Sequence, residues 1–138
     1  MKSVFWDFDG TLAARRGMWS GALVSVAQNS KLPLNISIEQ IRPHLQNGFP
    51  WHNPETNHGK KNADQWWSEL FPTFANAFIS LGFSSEEADA LATSVRIEYL
   101  NPSKWYVFED YVACLEKFKA AGWEQYICQI MSQSLNNS

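Results

Sequence analysis

The chain is poor in the features that mark out whole classes of protein. It holds two cysteines, Cys114 and Cys128. Their spacing matches neither a disulfide framework nor a metal site, so a reducing, cytoplasmic setting is expected. There is no block of basic residues and the net charge is −3, which argues against nucleic acid as the main partner. No run approaches the roughly 20 apolar residues that a membrane span needs. Asp7 and Asp9 interrupt the apolar N-terminus at once, so it does not read as a signal peptide. Internal repeats, low-complexity stretches and flexible linkers are missing as well. A soluble protein with no membrane partner is the expectation.

What the 138 residues do contain is apolar and aromatic material. They are 45% hydrophobic and 14% aromatic, with seven tryptophans. A packed core follows, and so many tryptophans point to an aromatic-lined cavity. Ser3 to Trp6 reads as a short buried strand ending at an Asp-Gly turn. Helices are expected at Trp19–Lys31, with an apolar stripe and a stop at Pro33, and from Ser37, whose pairing with Gln40 forms a capping box. That second helix runs through Ile38, Ile41 and Leu45 to Gly48. After a long loop from residue 48 to 62, a helix over Asp64–Leu81 turns Trp67, Leu70, Phe71, Phe74 and Phe78 inward, with Pro72 kinking it. Ser84 and Glu87 cap the next helix, which reaches about Leu100 and is closed by Pro102. Glu109–Ala121 forms a last amphipathic helix with Val112, Leu115 and Phe118 inward, and "WEQYICQIM" a second strand. Two strands so far apart, with helices between, predict an α/β fold: a parallel sheet with a helical insertion after the first strand.

The stretch "SVFWDFDGTLAAR" (residues 3–15) carries the chemistry. Two carboxylates two residues apart, at the exit of an apolar run, repel each other with little water to screen them. A hairpin turn at Asp-Gly needs an alternating strand next, which "TLAARRGMW" does not provide. A calcium loop of the EF-hand type needs Gly and Glu where Leu12 and Met18 stand. The third reading uses both acids. Open α/β sheets bind ligands at the carboxyl ends of their strands, where Asp7 falls. A carboxylate can attack a phosphoryl group, given a divalent cation to offset the repulsion between anions. A second carboxyl close by has its pKa pushed up and can act as general acid and then base. Gly10 permits the tight turn, and the Thr11 hydroxyl can hold a phosphate oxygen.

"VFWDFDGTL" resembles the first motif of the haloacid dehalogenase (HAD) superfamily, an apolar strand followed by Asp-x-Asp-Gly-Thr-Leu. The resemblance implies a Rossmann-like core, partial here, made from residues 1–14 and 106–138, with an inserted α-helical cap at 15–105. It also implies Asp7 as nucleophile and Mg²⁺ ligand, and Asp9 as general acid/base with its backbone carbonyl on the metal. Dehalogenases of the family lack the second Asp, so Asp9 favours a phosphatase acting on a small phosphorylated metabolite. Phe49, Trp51, His52 and His58 lie where the family places substrate-facing residues; the alternative is that Trp51 packs under the loop and the histidines are solvated. The spacing of His52 and His58 does not support a zinc site. Arg15 and Arg16 could meet an anionic substrate, although a solvated hinge is the preferred reading. Of the adjacent Trp66 and Trp67 only one can face the core fully, and surface packing accounts for the other.

Complete HAD phosphatases have a larger sheet and three further motifs, which this chain does not show: Gln129 stands where the second motif's Ser or Thr is expected. "ICQIMSQSL" can be encoded so that one inserted base turns it into Ile-Leu-Ser-Asn-His-Val-Pro-Glu-Leu, which looks like that motif. The expectation is therefore a frameshifted, truncated chain, the alternative being a natural short one. The second strand should run parallel to residues 3–7 and lose regular structure after about Ile127. An exposed sheet edge would then favour an oligomer, and activity would be weak or absent. The competing functional reading is a non-catalytic fragment that binds metal, anions or a partner chain.

Overall fold

The computed structural model describes residues 1–30, 35–57 and 59–128. Strand β1 (Ser3–Asp7) pairs in parallel with β4 (Glu124–Cys128), in a register that sets Ser3 opposite Glu124 and Asp7 opposite Cys128. The parallel pairing is the one expected from the sequence. Gln129 and the segment of the proposed frame change lie outside the described residues, although β4 itself continues one residue past Ile127. The crossover into β4 is α5 (Glu109–Ala120). It opens with Glu109 and Asp110 and ends with Lys117 and Lys119, charges that suit the two ends of a helix dipole.

Among the described residues four α-helices precede α5 between these strands: α1 (Met18–Asn29), the short α2 (Ile38–Ile41), α3 (Ala63–Ser80) and α4 (Ser85–Tyr99). Three of the four begin with reciprocal capping. Ser37 with Gln40, Asn62 with Gln65 and Ser84 with Glu87 each exchange side-chain and backbone hydrogen bonds, which satisfies two of the backbone N–H groups at each helix start. The expected second helix divides: α2 stops at Ile41 and a 3₁₀ turn carries the chain to Leu45, since Pro43 has no N–H to continue the ladder. Pro72 lies inside α3, which runs on to Ser80. Leu23, Ile41, Leu70, Phe74, Phe78 and Val95 are completely or almost completely buried and make one core with Trp67 and Leu91. Phe71 packs on that core from its edge and remains partly exposed.

One element was not foreseen. Ala13–Arg15 forms a strand, β2, antiparallel to β3 (Trp105–Val107), with Ala13 opposite Val107 and Arg15 opposite Trp105. This two-stranded ribbon is the neck through which the chain leaves the sheet for the helices and returns. It also corrects the reading of Arg15 as a solvated hinge or an anion contact. Arg15 is 4% exposed; its guanidinium donates to the Glu98 carbonyl at 2.7 Å and to the Glu98 carboxylate at 3.1 Å. A cation at that depth needs a partner to offset desolvation, and Glu98 is it.

A second correction concerns α5. Val112, expected to face inward, is 54% exposed, and no residue of α5 is fully buried. The helix rests on the sheet through Phe118, edge-on to Trp6 at 5.2 Å, and through the Gln125 side-chain amide, which donates to the Leu115 carbonyl. A described sheet of two strands is narrower than the helix face laid on it.

Candidate functional site

Strand β1 delivers Asp7 to its carboxyl end, and the chain turns there. The Phe8 carbonyl accepts from the backbone N–H groups of Thr11, Leu12 and Ala13, and Gly10 donates to the Ala13 carbonyl at 2.7 Å. Gly10 holds φ +80°, a left-handed conformation that a side chain would disfavour. This tight loop brings the Thr11 hydroxyl back to Asp7, to whose Oδ2 it donates at 3.2 Å. Thr11 thus stands directly beside Asp7. Asp7 is half-buried at the strand end.

Asp9 is half-buried too, but its setting differs. It forms part of the wall of a cavity of about 790 Å³ between the β1 turn and the helices, together with Phe8, Trp66, Trp67, Tyr99 and Trp105. The Tyr99 hydroxyl donates to Asp9 Oδ2 at 2.8 Å. Burial pushes the Asp9 carboxyl above the ordinary carboxylate range; the Tyr99 hydrogen bond pulls it down, and the Asp7 charge raises it further. The direction matches the expectation drawn from two adjacent acids, but burial is the larger cause and the neighbouring charge the lesser one. Tyr99 is itself held neutral, first by burial and then by the Asp9 charge and hydrogen bond, with Arg15 acting the other way.

Tyr99 is the residue that sequence reading missed. It closes α4 and is 3% exposed. Its ring stacks on Trp19 with centroids 3.8 Å apart, and the Arg15 guanidinium lies over it at 5.6 Å. Trp105 Nε1 donates to its carbonyl at 2.7 Å. The one available signal was position: Tyr99 ends the last helix before the chain returns to the sheet, so it must pass the mouth of the aspartate loop. Surface packing is the expectation for Trp66, and it is indeed partly buried against the core; it also lines the cavity beside Trp67, edge-on at 5.2 Å.

Trp51 and His52 are not brought to this cavity. Trp51 stacks on Phe49 at 4.4 Å and borders a separate, smaller hollow with Trp19 and Arg42. His52 is exposed, and its Nδ1 accepts from the Phe49 N–H at 3.4 Å, closing a local turn. Trp51 is partly buried against the core at the edge of that hollow. His58 lies outside the described residues.

The donors available to a metal are hard oxygens. Magnesium needs one or two protein carboxylates and completes its shell with water and substrate oxygens, and the Asp7 carboxylate with the Asp9 carbonyl fits that demand. Among the described residues no group of three or more His, Cys, Asp or Glu side chains comes together. Among the same residues no helix is long and apolar enough to cross a membrane. Comparison with family models and with curated proteins finds no match to the chain.

Proposed function

We propose that the Asp7–Asp9 loop performs Mg²⁺-dependent hydrolysis of a phosphate ester through an aspartyl-phosphate, the chemistry implied by the resemblance of "VFWDFDGTL" to the HAD superfamily. One observation carries the reading. Two carboxylates at the carboxyl end of a parallel strand have been given different environments, Asp9 on a cavity wall with a raised pKa and Asp7 outside that wall at the strand end. Paired acids pushed apart in this way take different roles. On this reading the partial Rossmann-like core is the β1–β4 sheet with α5, and the helices from Met18 to Tyr99 are the cap.

The steps follow from the two roles. An Asp7 carboxylate oxygen attacks phosphorus, and the bond from phosphorus to the ester oxygen breaks. Asp9, in its protonated form, which burial favours, gives its proton to the departing oxygen. Water then attacks the phosphorus of the acyl phosphate while the Asp9 carboxylate takes a proton from it. Phosphate leaves and Asp7 is restored. Tyr99 orients the Asp9 carboxyl during both transfers. A Mg²⁺ ion held by Asp7 and the Asp9 carbonyl would supply charge neutralisation as two anions approach.

The test is steady-state release of nitrophenol from p-nitrophenyl phosphate. Turnover should require Mg²⁺ and vanish in Asp7→Asn. Asp9→Asn should lower kcat for an ester with a poor leaving group by about 10²–10⁴-fold. No turnover with Mg²⁺ would favour the non-catalytic reading, and turnover that survives Asp7→Asn would exclude Asp7 as the nucleophile.

A further inference from the structure

The cavity beside Asp9 has a composition that selects among phosphate esters. Five aromatic side chains, Phe8, Trp66, Trp67, Tyr99 and Trp105, form much of its wall, with Leu100 at an exposed position beside them. Among the described residues Lys61 is the one cation on that wall, and its ammonium is engaged by the Glu69 carboxylate at 2.5 Å. Arg15, over the Tyr99 ring, is committed to Glu98, and Arg96, over the Trp67 ring, is paired with Asp64. The Asn62 side-chain oxygen accepts from the Gln65 N–H at the start of α3. A second phosphate or a polyhydroxylated sugar would find few groups there to replace its water, and unpaired polar groups are costly to bury. A flat apolar ring would find faces to stack on. At about 790 Å³ the space falls within the roughly 300–1,000 Å³ of small-molecule sites.

We propose that the alcohol part of the substrate is an aromatic or fused-ring group seated between Trp66 and Trp105, so that the substrate class is aryl or arylalkyl phosphate monoesters. The assignment rests on the phosphoryl-transfer reading for the reaction and on the cavity wall for the occupant. Binding can be measured apart from catalysis by calorimetry with naphthol, naphthyl phosphate and glycerol phosphate. Naphthol should bind by itself and equally well to Asp7→Asn. With Mg²⁺, naphthyl phosphate should bind at least about tenfold more tightly than glycerol phosphate, one good aromatic contact being worth about a factor of ten. Trp66→Ala should weaken naphthol binding by about tenfold on the same ground. Leu100→Gln, at a residue 56% exposed and so without consequence for the core, should weaken it by about threefold through lost apolar area. Equal affinity for the two esters, or naphthol binding indifferent to both variants, would overturn the proposal. Naphthol held as described while neither ester is hydrolysed would strike the phosphoryl-transfer reading and leave the cavity's occupant standing.

Discussion

The Asp9 carboxyl and the Tyr99 hydroxyl form the contact on which the site turns, since it joins the strand-end loop to the last helix of the helical segment. An acid whose folded pKa lies above its unfolded one binds protons more readily when folded. The folded state therefore loses stability as pH rises from the ordinary carboxylate value through the raised one, and carries no such penalty below it. In chelator-treated buffer, Asp9→Asn should remove this loss, because the amide oxygen still accepts from Tyr99 and has no charge to bury. The thermal midpoint of the variant relative to the parent should climb as the pH rises above the ordinary carboxylate value of about 3.9. A difference that stays constant over that rise would contradict the raised Asp9 pKa.

At the scale of elements, the neck ribbon depends on a close approach between the first helix and the residue that follows β2. A Cβ on Gly21 would stand 2.0 Å from the Arg16 carbonyl oxygen, and Arg16 follows the residue that anchors β2 to Glu98. Neither backbone can yield without moving the ribbon, so Gly21→Ala should lower the stability by about 2 kcal/mol or more. Urea unfolding measures it, and an unchanged midpoint would show that the approach is not tight. Helix starts were legible because their determinants are local: Ser37 and Gln40, or Ser84 and Glu87, sit three residues apart and meet as soon as a turn forms. The β2–β3 ribbon was not. Each strand has three residues, and its partner lies beyond the whole helical segment, so no local pattern records the pairing. Arg15 was misread for the same reason, since Glu98 reaches it only through the tertiary fold. The aspartates were legible through a motif; the wall around Asp9 was not, because Trp66, Tyr99 and Trp105 come from three separate parts of the chain.

On the scale of the molecule, burial is uneven. The helices between Met18 and Tyr99 hold the shared core, whereas the β1–β4 sheet leaves Phe5 66% and Ile127 57% exposed. Phe5 and Tyr126 stack on each other at 5.3 Å on the open face, while Trp6 turns toward α5. The apolar run that sequence reading took for a buried strand is thus covered on one face, and only in part. The site nonetheless draws on both parts of the molecule: the sheet and the loop at its end supply Asp7 and Asp9, and the helical segment supplies Tyr99, Trp66 and Trp67. On the phosphoryl-transfer reading Asp7 is the nucleophile and Asp9 the acid and base. Mass spectrometry of acid-quenched protein after incubation with Mg²⁺ and p-nitrophenyl phosphate separates these roles. Nitrophenolate leaves without a proton, so Asp9→Asn should still be phosphorylated but slow to react with water. A phosphoryl adduct is expected on the peptide containing Asp7, more abundant in Asp9→Asn than in the parent and missing from Asp7→Asn. An adduct on another residue, or none in Asp9→Asn, would contradict it.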